Sequence, residues 1–399
     1  MPAFKAPIRT LMGPGPSDVS PRVLAALAQP TIGHLDPEFI RLMDETKALL
    51  QYAFQTKNQM TFPVSAPGSA GMECALVNLL EPGDKAIVCV NGVFGGRMKE
   101  IVGRIGCTAI VVEDTWGTPV DPQKVEAALK ANPGAKVLAW VQAETSTGAE
   151  SDSATLAKLG HAHGCLNITD TVTAVGGTPL KVDEWGLDAV YSGTQKCLSC
   201  VPGLSPVTFS DRALEAVKKR KTPAVSWFLD ISLLMGYWSG ENRRAYHHTA
   251  PINANYALHE ALTILKEEGL ENSWARHRKH HLALRAGVEA LGLSFVVAEK
   301  HRLPQLNSIS IPAGVDEAAV RKTLLNEHGI EIGAGLGSMA GKIWRIGVMG
   351  HSARQENIVK VVGALETVLR GMGQKLEAGA AVAAVHAAYS AKSPAKASV

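Results

Sequence analysis

The chain has 399 residues, of which 46% are hydrophobic, and its 40 basic and 37 acidic side chains leave a net charge of +3. This length predicts two or three domains with a sizeable core. Charges of both signs are spread along the chain, which excludes the one-sided basic surface of a nucleic-acid-binding protein.

The sequence predicts a cytoplasmic protein with no membrane association. No apolar run approaches the ~20 residues of a membrane-spanning helix, and the N-terminus lacks an apolar segment of secretory type. The cysteines lie mostly in apolar stretches, which is typical of reduced core residues; they are Cys74, Cys89, Cys107, Cys165, Cys197 and Cys200. Cys197 and Cys200 have C-x-x-C spacing, but no second pair accompanies them, so packing is favoured over metal or redox use.

An N-terminal arm is predicted over residues 1–20, because Gly13-Pro-Gly-Pro-Ser17 cannot hold regular structure for long. From 21 to 270, strand and helix patterns alternate at the pace of βαβ units. The strand patterns are continuously apolar, as in a sheet covered on both faces. They are Lys85–Val90, Thr108–Val112, Lys136–Val141 and Leu166–Thr169, with helical patterns such as Pro122–Ala131 and Ser153–Ala162 between them. This pattern predicts a large, doubly wound α/β domain with a mixed, mostly parallel sheet.

A smaller α+β domain is predicted over residues 271–375, after a helical stretch from Tyr256 to Leu291. Its strand and helix patterns are Leu293–Val297, Ser308–Ile311 and Lys342–Ile346, mixed with helices over Glu317–Glu327 and Glu356–Gly371. Residues 376–399 are rich in alanine and then in serine, lysine and proline, which predicts a partly disordered tail.

Two apolar runs end in residues that suit pyridoxal phosphate. One ends at Asp170, and the next is followed by small polar residues and Lys196. A lysine amine can form a Schiff base with the cofactor aldehyde, while an aspartate keeps the pyridine nitrogen protonated, so that the ring acts as an electron sink. In an open parallel sheet both groups emerge at the carboxyl ends of strands, where ligands bind.

A phosphate cradle is predicted where a turn of small residues opens an amphipathic helix. Gly68 and Ser69 belong to the first turn of this helix, whose free amides bind anions; a plain helix cap is the alternative. Phe94 follows the strand that ends at Val90, so its ring either stacks on the pyridine ring or packs in the core.

Arg345 interrupts an apolar strand, where an unpaired guanidinium is costly. Its planar fork matches a substrate carboxylate, with a structural salt bridge as the alternative. Two other motifs are set aside. The G-x-G-x-x-A match at Gly335–Ala340 is followed by a strand where a dinucleotide site needs a helix, and His247 and His248 are adjacent with no acidic cluster nearby, so no metal is predicted.

These segments together resemble class V pyridoxal-phosphate aminotransferases of the alanine/serine–glyoxylate (serine–pyruvate) group, over nearly the whole chain to about residue 375. The matching segments are Gly13–Ser17, Gly71–Glu73, Glu144–Gly148, Asp170, Tyr191–Lys196, Tyr246–Thr249, Gly269–Trp274 and Arg345–Gly347. The resemblance implies the type I aminotransferase fold and a homodimer with shared active sites. It also implies that Thr145 and Gln195 join Gly68 and Ser69 around the cofactor, and that Tyr246 and Thr249 reach the phosphate of the partner subunit's cofactor.

The implied reaction moves the amino group of L-serine or L-alanine to glyoxylate or pyruvate. A sister group acts on ureidoglycine with glyoxylate and carries Gln at His34 and Asn at Tyr246, so both residues favour the alanine/serine group. Gly33 and His34 are expected beside the substrate, where the imidazole can bond a serine hydroxyl; a core or interface role for His34 is the alternative. A desulfurase is disfavoured because all six cysteines precede residue 201.

Overall fold

The computed structural model describes Met1, residues 3–238 and residues 244–391. The strands in these ranges are β1 Thr10–Leu11, β2 Met60–Val64, β3 Lys85–Val90, β4 Thr108–Glu113, β5 Val137–Val141, β6 Ala143–Glu144, β7 Ala149–Glu150, β8 Leu166–Asp170, β9 Ala189–Tyr191, β10 Ser205–Phe209, β11 Leu306–Ser310, β12 Ile330–Glu331, β13 Gly333–Ala334 and β14 Ile343–Gly347. The helices are α1 Pro21–Leu27, α2 Pro37–Phe54, α3 Gly68–Leu79, α4 Val93–Arg104, α5 Pro122–Ala131, α6 Ser153–Ala162, α7 Val182–Trp185, α8 Asp211–Lys218, α9 Ile231–Trp238, α10 Ile252–Glu268, α11 Leu270–Ala290, α12 Glu317–Glu327, α13 Gln355–Gly371 and α14 Ala380–Ser390.

The main sheet has seven strands in the order β2-β10-β9-β8-β5-β3-β4. β10 runs antiparallel to both of its neighbours, and the other pairs are parallel. Alternate residues of the buried strand β5 enter different cores: Ala139 packs on one face of the sheet and Trp140 on the other. The sheet is therefore covered on both faces, which confirms the predicted mixed, mostly parallel α/β architecture.

A second sheet, β11-β14-β13, is antiparallel and has its own core with α11, α12 and α13. The predicted strand over Leu293–Val297 is wrong: this segment makes an isolated bridge at Phe295, which pairs with Ile309. The single helical stretch from Tyr256 to Leu291 is interrupted at Gly269, whose φ of 84° suits a residue without a side chain and separates α10 from α11.

Part of the predicted N-terminal arm and part of the predicted tail pack on this C-terminal region. In the arm, β1 pairs in parallel with β12. In the tail, where the sequence predicts partial disorder, α14 packs against α11 and α13 and buries Ala381 and Val385; residues 392–399 of the predicted tail lie outside the described residues. The domain boundaries at 20, 270 and 375 stay predictions. None of the helices in the described ranges is both long and apolar enough to cross a membrane.

Candidate active site

Most of the predicted site residues gather at one edge of the main sheet. β2, β3, β5, β8 and β9 are parallel to one another, so their carboxyl ends meet at this edge. The residues at or just beyond these strand ends are Gly68 and Ser69 after β2, Phe94 after β3, Thr145 after β5, Asp170 at the end of β8, and Gln195 and Lys196 after β9. This is the edge at which open α/β sheets bind ligands.

Asp170 is a buried carboxylate held by two hydrogen bonds. Its Oδ1 accepts from the Val172 amide at 2.9 Å, and its Oδ2 accepts from the Tyr191 hydroxyl at 2.9 Å. Tyr191 is its direct neighbour on β9, which explains why the hydroxyl reaches it. Burial raises the pKa of Asp170 to about 7, although both hydrogen bonds act in the opposite direction. In the described ranges, no cationic side chain forms an ion pair with this carboxylate.

The Lys196 amine points to the N-terminal arm. Its Nζ donates a hydrogen bond to the Pro14 carbonyl, and a Cβ built on Gly15 would lie 2.5 Å from Nζ. Gly15 has a φ of 107°, a conformation that favours glycine, and a side chain there would displace the lysine side chain. Burial lowers the pKa of Lys196 to about 8; the Arg345 charge acts in the same direction and the Asp170 charge against it. Lys196 is therefore close enough to both Arg345 and Asp170 for their charges to change its pKa.

The predicted phosphate cradle begins α3, with Gly68 at its first residue and Pro67 before it. Gly68 lies against β9: a Cβ there would be 3.4 Å from the Ser192 carbonyl oxygen. Ser69 is exposed, and its hydroxyl accepts a hydrogen bond from Arg97 at 2.9 Å. Nearby in sequence to Lys196, the buried Oε1 of Gln195 has no hydrogen-bond partner among the described residues. Free helix amides and a neighbouring guanidinium can bind a phosphate.

Phe94 lies in the first turn of α4, half-buried, with the Arg97 guanidinium 5.0 Å from its ring centroid. Its amide donates to Oε2 of the fully buried Glu144 at 3.2 Å. Burial raises the pKa of Glu144, while hydrogen bonds from Ser146, Phe94 and Gly95 act in the opposite direction. A carboxylate from the segment after β5 thus satisfies the helix N-terminus and fixes the position of Phe94.

Arg345 comes from β14 of the small sheet and lies at the same site. Its Nε donates to the Ala334 carbonyl at 2.7 Å and its Nη1 to the Thr145 carbonyl at 3.0 Å. Burial lowers the pKa of Arg345 to about 10, so it is charged at neutral pH, and the Glu144 charge acts in the opposite direction. Neither of these hydrogen bonds goes to a carboxylate, so the structure does not support the structural salt bridge.

Gly33, His34, Tyr246 and Thr249 form a separate group at the surface, which we call the outer group. The His34 and Tyr246 rings are 5.2 Å apart, and the Tyr246 hydroxyl is 3.4 Å from Thr249 Oγ1. Tyr246 is 62% exposed, and Gly33 and Thr249 are exposed as well. A link to the cradle runs through His248, whose Nε2 is 2.7 Å from the Ser65 hydroxyl.

The sequence interpretation assigned no role to three residues that the structure brings into this site. Gly15 adjoins the lysine amine, Tyr191 supports Asp170, and Glu144 supports Phe94. A signal existed for each, since Gly15 lies in the Gly-Pro-rich arm, Tyr191 ends the run before Lys196, and Glu144 follows the strand that ends at Val141. What they contact depends on the tertiary fold.

Comparisons with known proteins find relatives that match most of the chain. The family model described as "Aminotransferase class-V" matches residues 17–361. The crystal structure of an alanine–glyoxylate aminotransferase from Nostoc sp. is 45% identical, with a TM-score of 0.91, covering 93% of this chain and 97% of that one. A ureidoglycine–glyoxylate aminotransferase from Bacillus subtilis is 39% identical, with a TM-score of 0.94, covering 97% and 99%. The alanine–glyoxylate aminotransferase of Rattus norvegicus is 41% identical over 366 residues, which are 91% of this chain and 88% of the relative.

Proposed function

Because this chain belongs to the class V aminotransferases and has the type I aminotransferase fold, we propose that it is a pyridoxal-phosphate-dependent enzyme that moves the amino group of L-serine or L-alanine to glyoxylate or pyruvate. The family match and the relatives confirm the predicted family, fold and transaminase activity. The cofactor, the donor and the site roles are the parts proposed here.

The observation that carries the proposal is the buried Asp170 carboxylate without a cationic partner in the described ranges, close to the Lys196 amine. An isolated buried carboxylate is costly, whereas a carboxylate that faces a cation is favoured in its ionised form. A protonated pyridine nitrogen is such a cation. The residues of this site therefore fit pyridoxal phosphate.

When bound, pyridoxal phosphate supplies an aldehyde that reacts with amines and a ring that withdraws electrons from the substrate Cα–H bond. Gly68 and Ser69 would hold the phosphate with the amides of α3, joined by Thr145 and Gln195 around the cofactor. Phe94 would stack on the ring, held by Glu144. Asp170, supported by Tyr191, would keep the pyridine nitrogen protonated.

Lys196 is the general acid–base group of the proposed reaction. With the cofactor bound, its Nζ would take up the proton that leaves the substrate Cα and hold it for return, while the cofactor would supply the electron-withdrawing ring. A pKa of about 8 leaves part of the amine neutral near neutral pH, as a base requires. Arg345 holds the α-carboxylate of donor and acceptor in turn, because both substrates of a ping-pong transamination use the same site.

A homodimer would complete the outer group. Tyr246 and Thr249 would reach the phosphate of the partner subunit's cofactor, and they are exposed here as that role requires. The segments of the chain next to the outer group carry exposed apolar side chains, namely Leu35, Val225, Trp227 and Leu233. Exposed apolar surface of this kind is typical of association surfaces. Cytoplasmic location stays a prediction.

Donor choice rests on the pair of His34 and Tyr246. Since Tyr246 is proposed to serve the partner subunit's site, His34 beside it would serve that same site. An imidazole can bond a serine hydroxyl, whereas an alanine methyl leaves it unpaired, which favours serine modestly. Ureidoglycine is the second candidate donor, because the Bacillus subtilis relative named for it matches 97% of this chain.

A donor panel tests the proposal. The purified protein should have a visible absorbance band that borohydride removes, and it should transaminate glyoxylate faster with L-serine or L-alanine than with ureidoglycine. His34→Gln should lower kcat/KM for serine a few-fold, by roughly one hydrogen bond, and leave alanine unchanged. A higher rate with ureidoglycine would assign the enzyme to the purine-degradation branch. Serine activity unchanged in His34→Gln would remove that residue from donor choice.

A further inference from the structure

The Ser199 hydroxyl lies where three segments of the chain meet: the N-terminal arm, the turn after Lys196, and the loop after β14. Ser17 Oγ is 3.0 Å from Ser199 Oγ and donates to the Lys196 carbonyl at 2.7 Å. The His351 amide donates to Ser199 Oγ at 2.6 Å. Both serines are buried.

The donors and acceptors fix the direction of this chain of hydrogen bonds. A carbonyl can only accept, so the single proton of Ser17 goes to the Lys196 carbonyl, and Ser199 must donate its own proton to Ser17. The order is therefore His351 N–H to Ser199, Ser199 to Ser17, and Ser17 to Lys196. We call this chain the hydroxyl relay.

The backbone around Ser199 is shaped for this contact. Ser199 has a φ of 50°, which few residues other than glycine adopt, and is one of two such residues in the described ranges. Gly350 faces it, and a Cβ at Gly350 would collide with Ser199 Oγ and lie 2.7 Å from the Cys197 carbonyl oxygen. The contact thus combines a serine in the left-handed backbone region with a position where a side chain would clash. Unfavourable backbone conformations of this kind are typical of functional sites.

The loop on the far side of the relay is itself anchored. The Gly350 amide donates to Nε2 of the buried His277 at 2.9 Å, and Nδ1 of that ring lies 2.7 Å from the Ser273 carbonyl. His277 is thus neutral, with its proton on Nδ1, consistent with a pKa that burial lowers to about 3. Arg276 also donates to the Gly350 carbonyl at 2.7 Å. This loop follows directly from the strand that carries Arg345.

We propose that Ser199, acting with Ser17, is a positioning residue that fixes the turn of Lys196 relative to the strand of Arg345. The relay ends on the carbonyl of the lysine itself, and its other end is the loop after β14. This inference rests on the proposed function, because it gives the lysine amine and the substrate carboxylate a fixed separation during proton transfer. Neither serine touches the substrate in this role.

Substitutions at Ser199 separate the hydroxyl from the backbone strain. Ser199→Ala removes the hydroxyl and keeps the strain, and Ser199→Gly removes both. Both variants should lower kcat about tenfold or more, since small misplacements of reacting groups are costly, with KM for glyoxylate within about twofold. A larger isotope effect with Cα-deuterated L-alanine should show that proton transfer is slowed. Ser153→Ala is the matched control: this buried serine accepts a hydrogen bond from Trp140, has no hydrogen bond to the relay, and should leave kcat unchanged when replaced.

Amide exchange of the purified holoenzyme gives a readout independent of turnover. Residues 196–200 and 349–353 should exchange faster in Ser199→Ala and Ser17→Ala, and unchanged in Ser153→Ala. The double variant Ser17→Ala with Ser199→Ala should have a kcat only slightly below that of either single variant, because each substitution breaks the same relay. Should Ser199→Ala fail to fold, Ser17→Ala and Ser199→Gly carry the test.

Three outcomes would each overturn the inference. Wild-type kcat in Ser199→Gly, with a loss of kcat in Ser199→Ala alone, would assign the effect to backbone strain. Additive losses of kcat in the double variant, or unchanged amide exchange in both segments, would also contradict it. The unmodified enzyme in the same assay separates this result from the proposed function. If it does not transaminate, the function fails; if it does and the variants match it, the relay alone fails.

Discussion

The inner and outer parts of the candidate site are built differently. Lys196, Asp170 and Arg345 are wholly or largely buried and held by hydrogen bonds within one chain. The outer group of Gly33, His34, Tyr246 and Thr249 is mostly exposed, and its members make long contacts with one another. One chain thus holds the proposed catalytic residues in place, whereas the residues proposed to bind the phosphate and the donor would be completed by the partner subunit. Each prediction below tests one side of this difference.

The largest effect is expected from Arg345→Ala, which removes the proposed anchor for the substrate carboxylate in the inner part of the site. Leaving a desolvated substrate carboxylate unpaired costs about 3–5 kcal/mol, so kcat/KM should fall by roughly 10²–10³ or more. Both half-reactions should be affected, with cofactor absorbance nearly intact. Single-turnover absorbance measurements with amino donor and oxo-acid acceptor separate the two. Arg302→Ala, an arginine stacked on Phe295, is the control. A loss in one half-reaction only would contradict the shared role.

Asp170→Asn should stabilise the cofactor-free protein at neutral pH. The folded pKa of about 7 lies above the value of the unfolded chain, so the unfolded state releases its proton first as the pH rises. Below about pH 4 the Asp170 carboxyl is protonated in the folded and the unfolded state, so its ionisation does not lower the free energy of unfolding. As the pH rises from about 4 to 7, the free energy of unfolding of the unmodified protein falls relative to that of the variant, by up to about 4 kcal/mol.

Urea unfolding of both proteins at pH 5 and pH 8 measures the difference between their free energies of unfolding. This difference should be larger at pH 8. Asp121→Asn, at the exposed N-cap of α5, is the control because Asn also caps a helix. With pyridoxal phosphate bound, the unmodified protein should become the more stable of the two, since the amide that replaces the Asp170 carboxylate in the variant cannot form an ion pair with a pyridinium. An equal difference at both pH values would show that the carboxyl is already ionised at pH 5 in the folded protein.

The smallest effect is expected from the outer group. Tyr246→Phe and Thr249→Val should each weaken cofactor binding about tenfold, the cost of a hydrogen bond to a charged group, while kcat with saturating cofactor stays near normal. Equilibrium dialysis gives the affinity, and sedimentation checks the dimer. Tyr256→Phe, which loses a bond to the Pro30 carbonyl, is the matched control. Unchanged affinity in both variants would separate Tyr246 and Thr249 from the phosphate.

The inner part was more predictable from the sequence than the outer part. Strands such as Lys85–Val90 and helices such as Pro122–Ala131 have local signals, and a residue at a strand end inherits its place from the sheet. The failed strand at Leu293–Val297 has the composition of a strand but not the pairing, which depends on distant residues. The basic run Arg276–His281 in α11 suggests a solvated face; nevertheless its three histidines are buried, each with a hydrogen-bond partner. Gly15 has a local signal in the Gly-Pro-rich arm, but what Gly15 and Ser199 contact depends on segments that are distant in the sequence.

The pairing of the N-terminal arm with β12 has a consequence for how the molecule is made. Thr10 pairs with Ile330, the Asp18 amide bonds Ser352, and between these points the arm delivers Gly15 to the lysine amine. The arm therefore leaves the ribosome well before the segments with which it pairs. Contacts of such sequence separation pay the full entropy of loop closure before they form. We expect the main sheet to form first on the nascent chain and the arm to dock over the lysine only after β12 and the loop after β14 have been synthesised, so that the surroundings of Lys196 are completed late in folding.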